Sequence, residues 1–156
     1  MKRTLVLGVG NTLLADEGAG VHAMRYLRNQ FASLPDTEFL DAGTLSFTLV
    51  DDIASADNLI IFDAAQLGAA PGVIRVFEGD EFDDFLRSGR RSVHEVGFAD
   101  LMDIARLQDC LPANRALIGI QPEFLGWGDS PGDTVGAAIP AAAESAAVLI
   151  DKWSTS

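Results

Sequence analysis

Thr4-Leu5-Val6-Leu7-Gly8-Val9-Gly10-Asn11, running on through Thr12-Leu13-Leu14-Ala15-Asp16-Glu17-Gly18, is the stretch that decides the fold. Thr4 to Val9 is a continuous apolar run, as expected of a strand buried on both faces of a helix-covered sheet. Gly8, Gly10 and Asn11 then turn the chain. Asp16 and Glu17 open a predicted helix whose apolar positions, Val21, Met24, Leu27 and Phe31, recur at spacings of three and four. Acidic side chains suit that start because they oppose the positive end of a helix.

The same strand-then-helix rhythm continues. A second strand is expected over about 37–40, ending at Asp41-Ala42-Gly43, then a helix near 47–54. A third strand, 58–62, ends at Asp63. A fourth, 72–77, follows the Pro71-Gly72 turn, and a short helix covers 81–87. Residues 88–93 read as a loop leading to His94. Phe98, Leu101, Met102, Ile104, Ala105 and Leu107 give an amphipathic helix before a fifth strand at 116–120. A Gly/Pro-rich loop spans 121–132, and a last helix runs to about Lys152 from either Asp133 or Pro140, since proline suits a first turn and kinks an interior. Strands alternating with helices imply an α/β, three-layer fold: a five-stranded, mostly parallel twisted sheet with helices on both faces. No linker divides the chain, so 1–156 reads as a single domain.

With 156 residues, the chain can bury roughly two-thirds of the surface it exposes when unfolded. Its net charge of −12 opposes nucleic acid and anionic membranes and favours divalent cations or a basic polypeptide segment. The basic cluster Arg87, Arg90 and Arg91 is diluted by Asp83 and Asp84. One cysteine, Cys110, allows no disulfide within the chain, which agrees with a reducing, cytoplasmic setting; a packed thiol is the expectation for it. No apolar stretch reads as approaching the roughly 18 residues of a membrane span. The Lys2-Arg3 start imitates a secretion signal only until Asn11, Asp16 and Glu17 interrupt it.

Familiar motifs fail on inspection. Gly8-Val9-Gly10 follows a strand as a dinucleotide-binding turn would, with Asp41 placed as the ribose acid, but Leu13 stands where the third glycine is required. His94-Glu95-Val96-Gly97-Phe98 begins like a zinc-protease signature and lacks its second histidine. Phe39 to Gly43, with Asp63 as a second carboxylate, faintly resembles an aspartic-protease turn, but that fold is all-β.

One constellation survives. In an open parallel sheet ligands bind beyond the carboxyl ends of the strands, where the winding reverses. Glu17 follows the first strand and Asp63 ends the third. If those strands are neighbours and the 88–94 loop lies over the crevice, two carboxylates and the His94 imidazole converge. Such a set suits a divalent ion such as zinc or nickel. Each residue also has a plainer role: Glu17 at a helix start, Asp63 capping a strand, His94 at the surface. Asp16 and Asp41 lie in the same region and could stand in for a ligand. His22, one turn past Glu17, is expected to face solvent or pack.

In order along the chain, Leu7 to Gly18 with Gly20-Val21, Asp41-Ala42-Gly43-Thr44, Ile60 to Ala64, Ser92-Val93-His94 with Gly97 and Asp100, and Leu117 to Pro122 together resemble the hydrogenase maturation proteases. The resemblance runs to roughly residue 150. It implies an endopeptidase that removes the C-terminal extension of a nickel–iron hydrogenase large-subunit precursor after nickel insertion. It also implies that Glu17, Asp63 and His94 occupy the family's metal-binding positions, with the nickel supplied by the precursor. Asp16 and Asp41 are weak candidates for positioning the attacking water. Ala42 where glycine is frequent, and Phe98 where leucine is frequent, depart from the pattern without removing a ligand. Phe124, Leu125 and Trp127 mark the 121–132 loop as a candidate precursor-docking surface. A nickel-dependent chaperone that binds the precursor without cutting it is the competing reading, and a nucleotide-binding module is the third.

Overall fold

The computed structural model describes residues 2–31, 33–43, 49–88 and 93–155, with the side chains of 93–96 outside the description. β1 (Thr4–Gly8) is buried along its whole length, as its unbroken apolar run requires. A 3-10 turn, Ala15–Gly18, precedes α1 (Ala19–Gln30). The helix predicted to open at Asp16 therefore starts later. Asp16 is tied by its N–H and its carboxylate to a distant loop, and the segment tightens into a 3-10 turn before the helix axis begins.

β2 (Thr37–Asp41), α2 (Leu49–Ala54) and β3 (Asn58–Ala64) follow. The start expected for α2 near 47 falls outside the described residues. β4 (Ile74–Glu78), α3 (Asp80–Arg87) and α4 (Val93–Leu107) come next. His94 thus sits in the first turn of α4 rather than in a preceding loop. Gly97 dilutes the periodic signal there, yet a helical glycine costs only about 1 kcal/mol and the helix runs through it. β5 (Asn114–Ile120) and α5 (Asp133–Ser154) complete the order.

The sheet order is β2-β1-β3-β5-β4, with β4 alone antiparallel. β1 leads to β2 on one side and, after α2, the chain crosses to β3 on the other. The winding reverses between β1 and β3, the neighbours the sequence reading required. Val6, Ile60, Phe62 and Ile118 pack on one face with α1 and α5. Leu7, Leu59, Ile61 and Leu117 pack on the other with α2, α3 and α4.

α5 is one continuous helix from Asp133, with Pro140 inside it and on its exposed side. At 22 residues and a mean hydropathy of 1.3, it is long and apolar enough by length and composition to cross a membrane, contrary to the sequence expectation. Its alanines blurred that signal. Ala142, Ala146 and Ile150 lie in the core it shares with α1, the position of a core helix.

Candidate active site

Asp63 is the penultimate residue of the central strand β3 and is fully buried. Its neighbour Phe62 pairs with Gly8, and the Phe62 carbonyl accepts the Val9 N–H at 3.0 Å. Side chains alternate along a strand, and Ile60 and Phe62 face α1 and α5. Asp63 therefore faces the layer of α2, α3 and α4. A sequestered carboxylate must be compensated by hydrogen bonds, an opposite charge or a cation.

Glu17 is half-buried in the 3-10 turn, which packs directly on β3. Close backbone approaches fix that turn. Gly10, at φ +129°, lies so near that a Cβ there would sit 1.9 Å from the Glu17 carbonyl oxygen. A Cβ on Gly20 would meet the Phe62 carbonyl oxygen at 2.3 Å, so the start of α1 rests on the end of β3. The segments carrying Glu17 and Asp63 are thereby brought together at the switch point.

Chain connectivity is compatible with His94 lying at the same rim. Six residues link the end of α4 at Leu107 to the start of β5 at Asn114, a connection short enough for α4 to end near the amino edge of the parallel strands. Fifteen residues of helix span about 22 Å, enough to return its first turn to the carboxyl edge. α4 lies in the layer that Asp63 faces. The His94 side chain itself is outside the described residues. Among the described residues no three His, Cys, Asp or Glu side chains form a metal-sized cluster.

Asp16 is 1% exposed and accepts three backbone N–H groups: Glu123 and Phe124 on Oδ2 and Gly132 on Oδ1, each at 2.8 Å. That geometry makes it the anchor of the 121–132 loop and leaves little of the carboxylate for orienting a water. Asp41 is different. It ends β2 beside Gly8, accepts the Gly43 N–H at 2.9 Å and pairs with Arg25 at 3.3 Å in an exposed ion pair. Such a pair is worth under about 1 kcal/mol and yields readily to another partner.

The anchoring role of Asp16 was hidden because its partners lie 107, 108 and 116 residues away. Gln121 has a structural role that its local sequence does not signal. It is buried, its Oε1 accepts the Leu67 N–H at 2.7 Å and its Nε2 donates to Gln66, pinning the chain beyond β3 to the end of β5. Cys110 is exposed, not packed: Asp109 takes φ +55° at the end of α4 and turns the thiol outward, toward the Gln108 carbonyl at 3.3 Å. His22 is half-buried. Burial lowers its pKa from the usual value of 6.5, Arg25 lowers it further, and Asp129 opposes both.

Comparison with known proteins is consistent with this arrangement. A sequence model described as hydrogenase maturation protease matches residues 21–148, a span holding Asp63 and His94 and beginning after Glu17. The hydrogenase expression/formation protein HupD of Rhizobium leguminosarum bv. viciae is 37% identical over 152 residues, covering 97% of this chain and 75% of that one. The hydrogenase maturating endopeptidase HybD from Escherichia coli superposes with a TM-score of 0.89 at 36% identity, covering 96% of this chain and 93% of that one. The [NiFe] hydrogenase maturation protease HybD from Thermococcus kodakarensis gives 0.81 at 30%, covering 95% and 99%. In sequence over nearly its whole length, and in the winding that sets Glu17 against the end of β3, this chain belongs to the hydrogenase maturation protease family.

Proposed function

We propose that this chain is a cytoplasmic endopeptidase that removes the C-terminal extension of a nickel–iron hydrogenase large-subunit precursor once nickel has been inserted. The carrying observation is Asp63, a fully buried carboxylate at the carboxyl end of the central strand, with the Glu17 turn packed against that strand. Two carboxylates and the His94 imidazole form a donor set suited to nickel, or to zinc or another divalent ion in its place. In this reading the nickel arrives as part of the substrate. Glu17, Asp63 and His94 complete its coordination, which seats the scissile peptide and ties cleavage to metal loading. The ion can polarise the peptide carbonyl or activate a water. Asp41, exposed and loosely paired, is the better placed of the two acids to orient that water.

The test is to incubate the protein with nickel-loaded and nickel-free precursor and read the precursor's mass. Loss of the tail from the loaded form alone is expected. Binding with no loss of mass from either form would favour a nickel-dependent chaperone instead. Nucleotides should leave the melting temperature unchanged.

A further inference from the structure

Among the described residues, eight large apolar side chains are exposed, and four of them belong to one pair of loops. Leu13 is 58% exposed, Phe124 57%, Leu125 46% and Trp127 82%. The two loops are joined by backbone hydrogen bonds: Ala15 N–H to the Gly128 carbonyl at 2.9 Å, and Gly128 N–H to the Leu13 carbonyl at 3.0 Å. Asp16 fastens the outer loop from within. Phe124 is set in place as well, because its ring covers Gly126, where a Cβ would lie 2.3 Å from the ring carbon Cζ. The patch is therefore built in advance, and an apolar patch with a polar rim marks a binding surface.

Its electrostatics are one-sided. Residues 9–24 and 116–151 contain no lysine or arginine. Glu123, Asp129 and Asp133 are exposed around the patch, and Glu17 follows Asp16 directly in the inner loop. A partner that fits must bring apolar side chains for the centre and positive charge for the rim.

We propose that the patch of Leu13, Phe124, Leu125 and Trp127 docks a segment of the precursor that carries large apolar residues flanked by lysine or arginine. This rests on the precursor being the substrate. Docking here places the bound chain beside the Glu17 turn, and the rigid loop pair spares the complex the cost of ordering it.

The experiment measures the dissociation constant for nickel-free precursor, using wild type, Leu125→Ser/Trp127→Ser and Glu123→Lys/Asp129→Lys. All four replaced side chains are at the surface, and an unchanged melting temperature confirms an intact fold. The apolar pair should weaken binding by about 10-fold or more, as expected of a central aromatic anchor. The charge reversals should weaken it several-fold at low salt, converging on wild type near 0.5 M salt as the rim is screened. Equal affinity for all three proteins, or no binding by wild type, would overturn the assignment. So would a wild-type dimer that the apolar pair converts to a monomer, since a second copy would then be the occupant. A variant that fails to bind while nickel-loaded precursor is never cut by wild type would uphold docking and reject the protease reading. Normal binding by the variants with normal cleavage would do the reverse.

Discussion

Asp16 and Phe124 bind each other twice. The Asp16 N–H donates to the Phe124 carbonyl at 3.0 Å, and the Phe124 N–H donates back to the Asp16 carboxylate at 2.8 Å. Since the same carboxylate also takes the N–H groups of Glu123 and Gly132, one buried side chain organises both the turn that holds Glu17 and the loop that carries Trp127. Asp16→Asn presents an amide NH2 to groups that are themselves donors. It should cost about 2–4 kcal/mol in urea unfolding. The loop should also become open to chymotrypsin at Phe124, Leu125 or Trp127. A variant with wild-type stability and an uncut loop would show that the clamp is dispensable.

Glycine placement makes a paired prediction. Gly20→Ala sets a Cβ 2.3 Å from the Phe62 carbonyl oxygen and 2.5 Å from that of Val9, both backbone atoms that cannot swing aside. A loss of about 3 kcal/mol is expected, with α1 pushed off the sheet. In Gly136→Ala, within α5, the added Cβ meets nothing within 4 Å and should stabilise by about 0.5–1 kcal/mol. Calorimetry of the two variants reads both signs.

The pH response follows from His22. Its folded-state pKa lies below 6.5, chiefly through burial and then through Arg25. The unfolded chain therefore binds the proton first as pH falls, and stability must drop on acidification from about pH 6.5 down to the folded pKa. Above that window both states are neutral and His22 contributes nothing. His22→Gln should remove this component, and unfolding curves between pH 7.5 and 5 would reveal it as a shallower fall. Identical slopes in the two proteins would contradict the assignment.

If Glu17, Asp63 and His94 share one ion, each is needed. Glu17→Gln, Asp63→Asn and His94→Gln should each slow tail removal by at least about 100-fold, beyond the loss typical of disturbing a group behind a ligand. Circular dichroism should show folded protein in each case. Processing at the normal rate by all three would sink the ligand set.

The sheet was legible because burial on both faces writes itself into sequence. Leu5-Val6-Leu7 and Leu59-Ile60-Ile61-Phe62 cannot alternate when neither side meets water. The neighbour relation of β1 and β3 was one plausible winding, which the sheet adopts, and with it the 3-10 turn of Glu17 packs on β3. Illegible were features set by partners remote in the chain. Asp16 looked like an ordinary acid at a helix start, since nothing local distinguishes a carboxylate that caps a helix from one that holds a loop a hundred residues on. The true start of α4 was masked by Gly97, and the exposure of Cys110 hung on one left-handed residue, Asp109. Trp127 and its neighbours could be flagged by residue type alone; that they form one patch with Leu13 required the Ala15–Gly128 hydrogen bond.

The Asp16 clamp also has a bearing on timing during synthesis. A ribosome that has released the first hundred residues has already delivered Glu17, Asp63 and His94, yet the groups that receive Asp16 are still to be made. The turn beside Glu17 settles only after residue 132 emerges and folds back. Until then the turn that carries Glu17 lacks the loop that fastens it, so the end of β3 waits for a segment made long after it.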